Sequence, residues 1–211
     1  MWQVIADKND ARRPLLAVAF LIFVISWVAY ANPAAGLKYS AGTFGTCTYN
    51  ACGITLSTSG SVSLDVTPAS GSTKCTVSND VVTATTAAST GYTITMTDTD
   101  TTNALAGPAS VAASTATPAS PTALTANTWG YRVDGIASFG AGPTSPIASA
   151  AIPAQTFAGV PLSSGTPGLI RTTSTADSST VNTSVWYGVC ADSSPQAGAY
   201  TDDVTYTAVT N

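Results

Sequence analysis

The side chains able to do chemistry in this chain are few: eleven acidic residues, all of them Asp, four Cys, seven Lys plus Arg, and no His. Without an imidazole, a Ser or Cys nucleophile lacks its usual base, so the common hydrolytic triads are excluded. Two acidic pairs remain, Asp98 with Asp100 and Asp202 with Asp203. Adjacent residues of a strand point to opposite faces, so Asp202 and Asp203 do not converge on one substrate. The run Thr97-Asp98-Thr99-Asp100-Thr101 offers the oxygen ligands that Ca²⁺ takes, but it lacks the Gly and terminal Glu of a helix-loop-helix site and reads as a solvated loop. A Lys to Asn crosslink with an Asp catalyst is chemically open to Lys38 or Lys74, and no local pattern selects it. The reading is non-enzymatic, with no catalytic residue, cofactor or metal ligand assigned.

The cysteines are better placed for structure than for catalysis. Cys47, Cys52, Cys75 and Cys190 are even in number and follow the apolar N-terminal run described below, which suits an oxidising compartment. Four cysteines allow three pairings. Cys47 and Cys52 are near enough in sequence to close a small loop, which leaves Cys75 and Cys190 as a long staple worth roughly 4 to 5 kcal/mol in the chain-entropy picture. A single C-x4-C with no His is a poor zinc site.

Composition narrows the class further. Charged residues are 9% of the chain, against roughly 25% for an average soluble protein. Low charge with 45% hydrophobic residues and a mean hydropathy of +0.24 departs from the disordered pattern of high charge and little to bury. Abundant Thr and Val alternating with small polar residues favours strands. A pI near 4.3 and seven basic residues cannot make a nucleic-acid groove.

Residues 1–31 contain Lys8, Arg12 and Arg13 and then the apolar run from Pro14 to Ala31. Two readings stay open. Ala29-Tyr30-Ala31 fits a small-x-small cleavage site, which makes the run an export signal. Left uncleaved, residues 14–31 form a hydrophobic helix anchored in a membrane, with Trp27 and Tyr30 at the interface. Both readings export the remainder to the cell surface or beyond.

Residues 32–53 form a Gly/Ala-rich lead with the Cys47–Cys52 loop, and residues 54–211 carry the strand signals. Ile54 to Leu56 and Val62 to Val66 read as a hairpin or one bulged strand ended by Pro68. Val77 to Ala84 and Tyr92 to Met96 follow, with Ser89-Thr90-Gly91 as a turn. Thr97 to Asn127 reads as a long surface connection, and Gly135 to Pro153 as a Gly/Pro-rich crossing. Trp129, Tyr131 and Val133 alternate between them, with Trp129 expected as an aromatic plug of the core rather than a sugar-stacking platform. Short strands are expected near Thr156 to Val160 and Leu169 to Thr172.

The run Val185-Trp186-Tyr187-Gly188-Val189-Cys190 is apolar at nearly every position, as a central strand covered on both faces should be. A tight loop leads from it to a second strand with Tyr200, Asp202, Val204, Tyr206 and Ala208 on one face. The expected fold is therefore all-β: an immunoglobulin-like antiparallel sandwich of about eight short strands, behind one N-terminal hydrophobic helix. Its core would hold Trp129, Tyr131, Trp186, Tyr187, Tyr200, Val204 and Tyr206. Gly198-x-Tyr200 is similar to the tyrosine corner of such sandwiches. The strand beginning at Tyr200 would leave a sheet edge to be closed by an earlier part of the chain or by another molecule.

The ending Gly198-Ala199-Tyr200-Thr201-Asp202-Asp203-Val204-Thr205-Tyr206 resembles the last strand of spore-coat-U-like and archaic chaperone-usher pilins. That resemblance implies a subunit completed by a neighbour's N-terminal strand. The segments Trp129 to Gly135, Phe139 to Pro143 and Trp186 to Val189 resemble exported β-sandwich surface proteins of reduced-genome bacteria, which implies a cell-surface location. The expectation is a structural or adhesive surface protein. The alternatives are a filament subunit that adds strands between copies, and a carbohydrate- or calcium-binding surface module. Expected partners are other copies through an open edge, a host or neighbouring cell surface, and the membrane if residues 14–31 are retained. Nucleic acid is not among them.

Overall fold

The computed structural model describes residues 53–68, 70–151 and 154–211, together with two two-residue strands, β1 (Thr43–Phe44) and β2 (Cys47–Thr48). The expected signal or anchor and the Cys47–Cys52 closure lie outside the described residues. Ten further strands make the domain all-β. They are β3 (Ile54–Ser57), β4 (Lys74–Thr86), β5 (Tyr92–Asp98), β6 (Leu105–Ala106), β7 (Ser110–Ala113), β8 (Thr128–Val133), β9 (Ile147–Ala150), β10 (Gly168–Thr172), β11 (Asp177–Ala191) and β12 (Val204–Thr210).

Two sheets result. One runs β10-β5-β12, and the other β3-β4-β11-β8-β7-β6 with β9 also paired to β4. Alternation decides which side chains meet. On β5, Tyr92, Ile94 and Met96 are buried while Thr93, Thr95 and Thr97 are half-buried on the other face. They pack with Val82 and Ala84 of β4, Tyr131 and Val133 of β8, and Val185, Tyr187 and Val189 of β11. Burial of each large apolar side chain here contributes roughly 1.5 to 3 kcal/mol.

β11 accounts for the layering. It lies between β4 and β8, with Tyr187 opposite Ser78 on one side and Tyr131 on the other. Val185, Tyr187 and Val189 enter the main core. Trp186 and Cys190 face outward into a second cluster with Cys75, Val77, Leu124 and Phe157. The large sheet is thus covered on both faces, as the continuous apolar run of β11 requires. Gly188 is needed there, because a Cβ would come within 2.8 Å of the Phe157 ring.

Several expectations need correction. Two strands are long, since β4 spans 13 residues and β11 spans 15. The Ser/Thr-rich first half of β11 has no apolar alternation and becomes strand through its ladder with β4. The stretch Thr97 to Asn127 contains β6 and β7, with Val111 and Ala113 buried, and the Gly/Pro-rich crossing contains β9. The β7 and β8 pair is parallel, so the sheets are not purely antiparallel. Around Thr156 to Val160 there are only single bridges, Phe157 to Thr122 and Ala158 to Tyr131.

Val62 to Val66 does not return as a hairpin strand. Asp80 Oδ1 accepts from Ser59 N at 2.9 Å and Ser59 Oγ at 2.6 Å, and Ser59 Oγ accepts from Val81 N at 2.9 Å. Side chains here satisfy groups on the β4 edge, and the chain leaves the sheet. Residues 61–68 then run extended without a sheet partner, and Val62, Leu64 and Val66 pack against the main core. β11 and β12 are not a hairpin either. Residues 192–203 carry the chain from one sheet to the other, and a reciprocal pair ties down their start: Asn127 Nδ2 donates to Asp192 Oδ1 at 3.0 Å and Asp192 N donates to Asn127 Oδ1 at 3.1 Å.

Candidate functional site

The two acidic pairs that look separate in the sequence meet in the fold. Antiparallel pairing sets Val204 of β12 opposite Asp98 at the end of β5, and Thr99 N donates to Asp203 O at 3.0 Å just beyond. This brings the Asp202 carboxyl beside that of Asp98, within hydrogen-bonding reach. Asp98 is 1% exposed. Its Oδ1 accepts from Asp100 N at 2.8 Å, and Asp202 Oδ1 accepts from Asp203 N at 2.9 Å. Oδ2 of each is buried and has no hydrogen-bond donor. Burial, and then the negative charge of Asp98, push the Asp202 carboxyl up to about 7.

A cavity of about 190 Å³ opens beside this pair, lined by Thr99, Asp100, Ala104, Ala106, Thr201, Asp202 and Asp203. Three of the seven lining residues are Asp and none is basic, so an anionic ligand is repelled. Among the described residues no group of three or more carboxylate, imidazole or thiol ligands could hold a metal ion.

The other singled-out residues serve packing and crosslinking. Cys75 and Cys190 are direct cross-strand partners on β4 and β11, joined by a disulfide and fully buried. Trp129 is 4% exposed, stacks on Tyr187 with centroids 6.5 Å apart, and donates Nε1 to Asn103 O at 2.9 Å. Tyr131 lies edge-on to Phe139 at 5.7 Å, and burial pushes its phenol up to about 12. Trp186 fills the outer cluster. Tyr200, Val204 and Tyr206 are half-buried against the main core, and Tyr200 Oη donates to Gln196 O at 2.5 Å. Among the described residues no aromatic side chain is exposed, so a flat sugar-stacking platform is lacking there.

Arg132 is the residue that sequence reasoning passed over. It is 1% exposed, and its guanidinium donates to Phe139 O at 2.9 Å, Ala141 O at 2.9 Å, Gly140 O at 3.2 Å and Thr156 O at 3.3 Å, with Nε on Asp134 Oδ1 at 3.2 Å. It therefore clamps the segment Phe139 to Pro143 onto the segment Trp129 to Gly135. Gly142 permits the approach, since a Cβ there would come within 1.7 Å of Asp134 Oδ1. The available signal was an Arg inside an otherwise apolar strand, which has to be paired if buried.

The outer face of the small sheet is uncharged at its centre. Thr93, Thr95 and Thr97 on β5 lie opposite Val209, Thr207 and Thr205 on β12. Leu169 at 39% and Val209 at 53% are its exposed apolar residues. No protein-family model, curated protein or solved structure matches this chain.

Proposed function

We propose that this chain is an exported, non-enzymatic structural or adhesive component of the cell envelope, built on an immunoglobulin-like sandwich. The observation that carries the reading is the buried Cys75–Cys190 disulfide across the two longest strands, because such staples persist in oxidising compartments and not in the bacterial cytosol. The Tyr200 Oη to Gln196 O bond supports the immunoglobulin-like part, being the contact a tyrosine corner makes with backbone a few residues upstream. The Thr-rich outer face of the small sheet supports an adhesive or packing role, since it presents hydroxyls and methyls without charge. Protease treatment of intact cells tests the reading. The domain should be degraded or released while a cytosolic marker survives, and a domain protected until lysis would refute it.

One observation favours a second reading, assembly by strand addition between copies. Among the described residues β12 pairs only with β5, which leaves its other edge free. The half-buried Val62, Leu64 and Val66 weigh against it, because this chain's own residues already cover part of the main core. Light scattering of the purified exported part separates the two: a monomer fits the first reading, and a concentration-dependent polymer the second.

A further inference from the structure

We propose that Asp98 and Asp202 share one proton, and that this shared proton is what seats the start of β12 against the end of β5.

Asp98 is buried at the end of β5, Asp202 lies two residues before β12 begins, and each holds a buried Oδ2 with no donor. Two ionised carboxylates side by side repel, whereas one proton between them turns the same approach into a hydrogen bond. The charged groups acting on Asp202 from its surroundings are Asp98 and Asp100, both repulsive. Asp203, next in the chain, contributes its backbone N–H to Asp202 Oδ1. Among the described residues, other packed segments bring no cation: the Pro161 carbonyl accepts from Asp98 N at 2.7 Å, and β6, bridged to Thr201, consists of Leu105 and Ala106. Arg171 of β10 sits opposite Ile94, four residues back along β5. Among the described residues nothing else neutralises the pair, which leaves a proton to do so.

Because Asp202 holds its proton to about pH 7 in the folded state and releases it near 3.8 when unfolded, the folded state binds the extra proton between those values. The contribution is fully present below the unfolded value and is lost as pH rises through 7. Among the described residues β12 is held by one ladder, so its first residues are where that loss is felt.

The test follows thermal unfolding of the full chain in mild detergent from pH 4.5 to 8.5, for wild type, Asp202→Asn and Asp98→Asn, with and without 5 mM CaCl₂. In parallel, ¹³C-carboxyl NMR of Asp-labelled wild type reads the proton directly. The expected result is one Asp carboxyl titrating near 7, a wild-type Tm that falls between pH 5 and 8, and loss of that slope in Asp202→Asn. Should the variants fail to fold, the wild-type carboxyl titration decides alone. Ordinary titration of every Asp near 4 would overturn the proposal. So would a Ca²⁺-dependent rise in Tm at pH 8 that Asp202→Asn abolishes, since it would give the pair to a cation.

Discussion

Tyr187 on β11 and Tyr206 on β12 join the two sheets through their hydroxyls, 2.7 Å apart. Tyr187 Oη in turn donates to Met96 Sδ of β5 at 3.2 Å, so one short chain of polar atoms links β12, β11 and β5. Such a relay is stabilising only while every member is satisfied.

Tyr206→Phe should therefore cost about 1 kcal/mol, the usual net worth of one hydrogen bond. Ring packing is preserved, and the Tyr187 hydroxyl keeps its bond to Met96 Sδ. Urea unfolding of the two proteins side by side measures the difference; equal midpoints would mean that the hydroxyl pair contributes nothing.

The same burial makes an alkaline prediction. Loss of solvation pushes the phenols of Tyr131, Tyr187 and Tyr206 up from 10, that of Tyr131 to about 12. A folded pKa above the unfolded one gives stability that is present below pH 10 and is lost above it. Absorbance at 295 nm should show these three tyrosines silent until the protein unfolds, with unfolding and their ionisation coinciding. Reversible ionisation of all tyrosines near pH 10, with the fold intact, would contradict this.

Reduction should be costly. The Cys75–Cys190 bond closes a loop spanning 115 residues, for which the chain-entropy picture gives roughly 4 to 5 kcal/mol. The double variant Cys75→Ala with Cys190→Ala should unfold at clearly lower denaturant concentration, and dithiothreitol should do the same to wild type. A reduced protein as stable as the oxidised one would remove the staple from the account.

Arg132→Met should destabilise by about 1 to 3 kcal/mol, the range for leaving buried acceptors without their donor. The carbonyls of Phe139, Gly140 and Ala141 lose their donor, so limited proteolysis should find new cleavage between residues 135 and 146. Arg132→Lys should rescue only partly, since one ammonium cannot reach acceptors spread as widely as a planar guanidinium can.

These predictions draw on features of unequal visibility in the chain. The two-sided cover of β11 was legible because Val185 to Cys190 is apolar without alternation, and the β5 face because Tyr92, Ile94 and Met96 alternate with Thr. β6, β7 and β9 were hidden, being two to four residues long and written in Ala and Ser, whose strand state comes from tertiary pairing. The meeting of Asp98 with Asp202 was also invisible. Each carboxylate ends or precedes an alternating strand, but only the register of β5 against β12 puts them together, and that register is set by the apolar residues further along. Arg132 was visible as a residue and unreadable as a clamp, since its acceptors are main-chain carbonyls that any sequence would supply.

Immunogold electron microscopy of intact cells, with an antibody raised to the folded domain, tests the envelope assignment most directly. The account predicts gold distributed over the cell surface without permeabilisation. Label that is absent from intact cells and fills the cytoplasm of sectioned ones would contradict it.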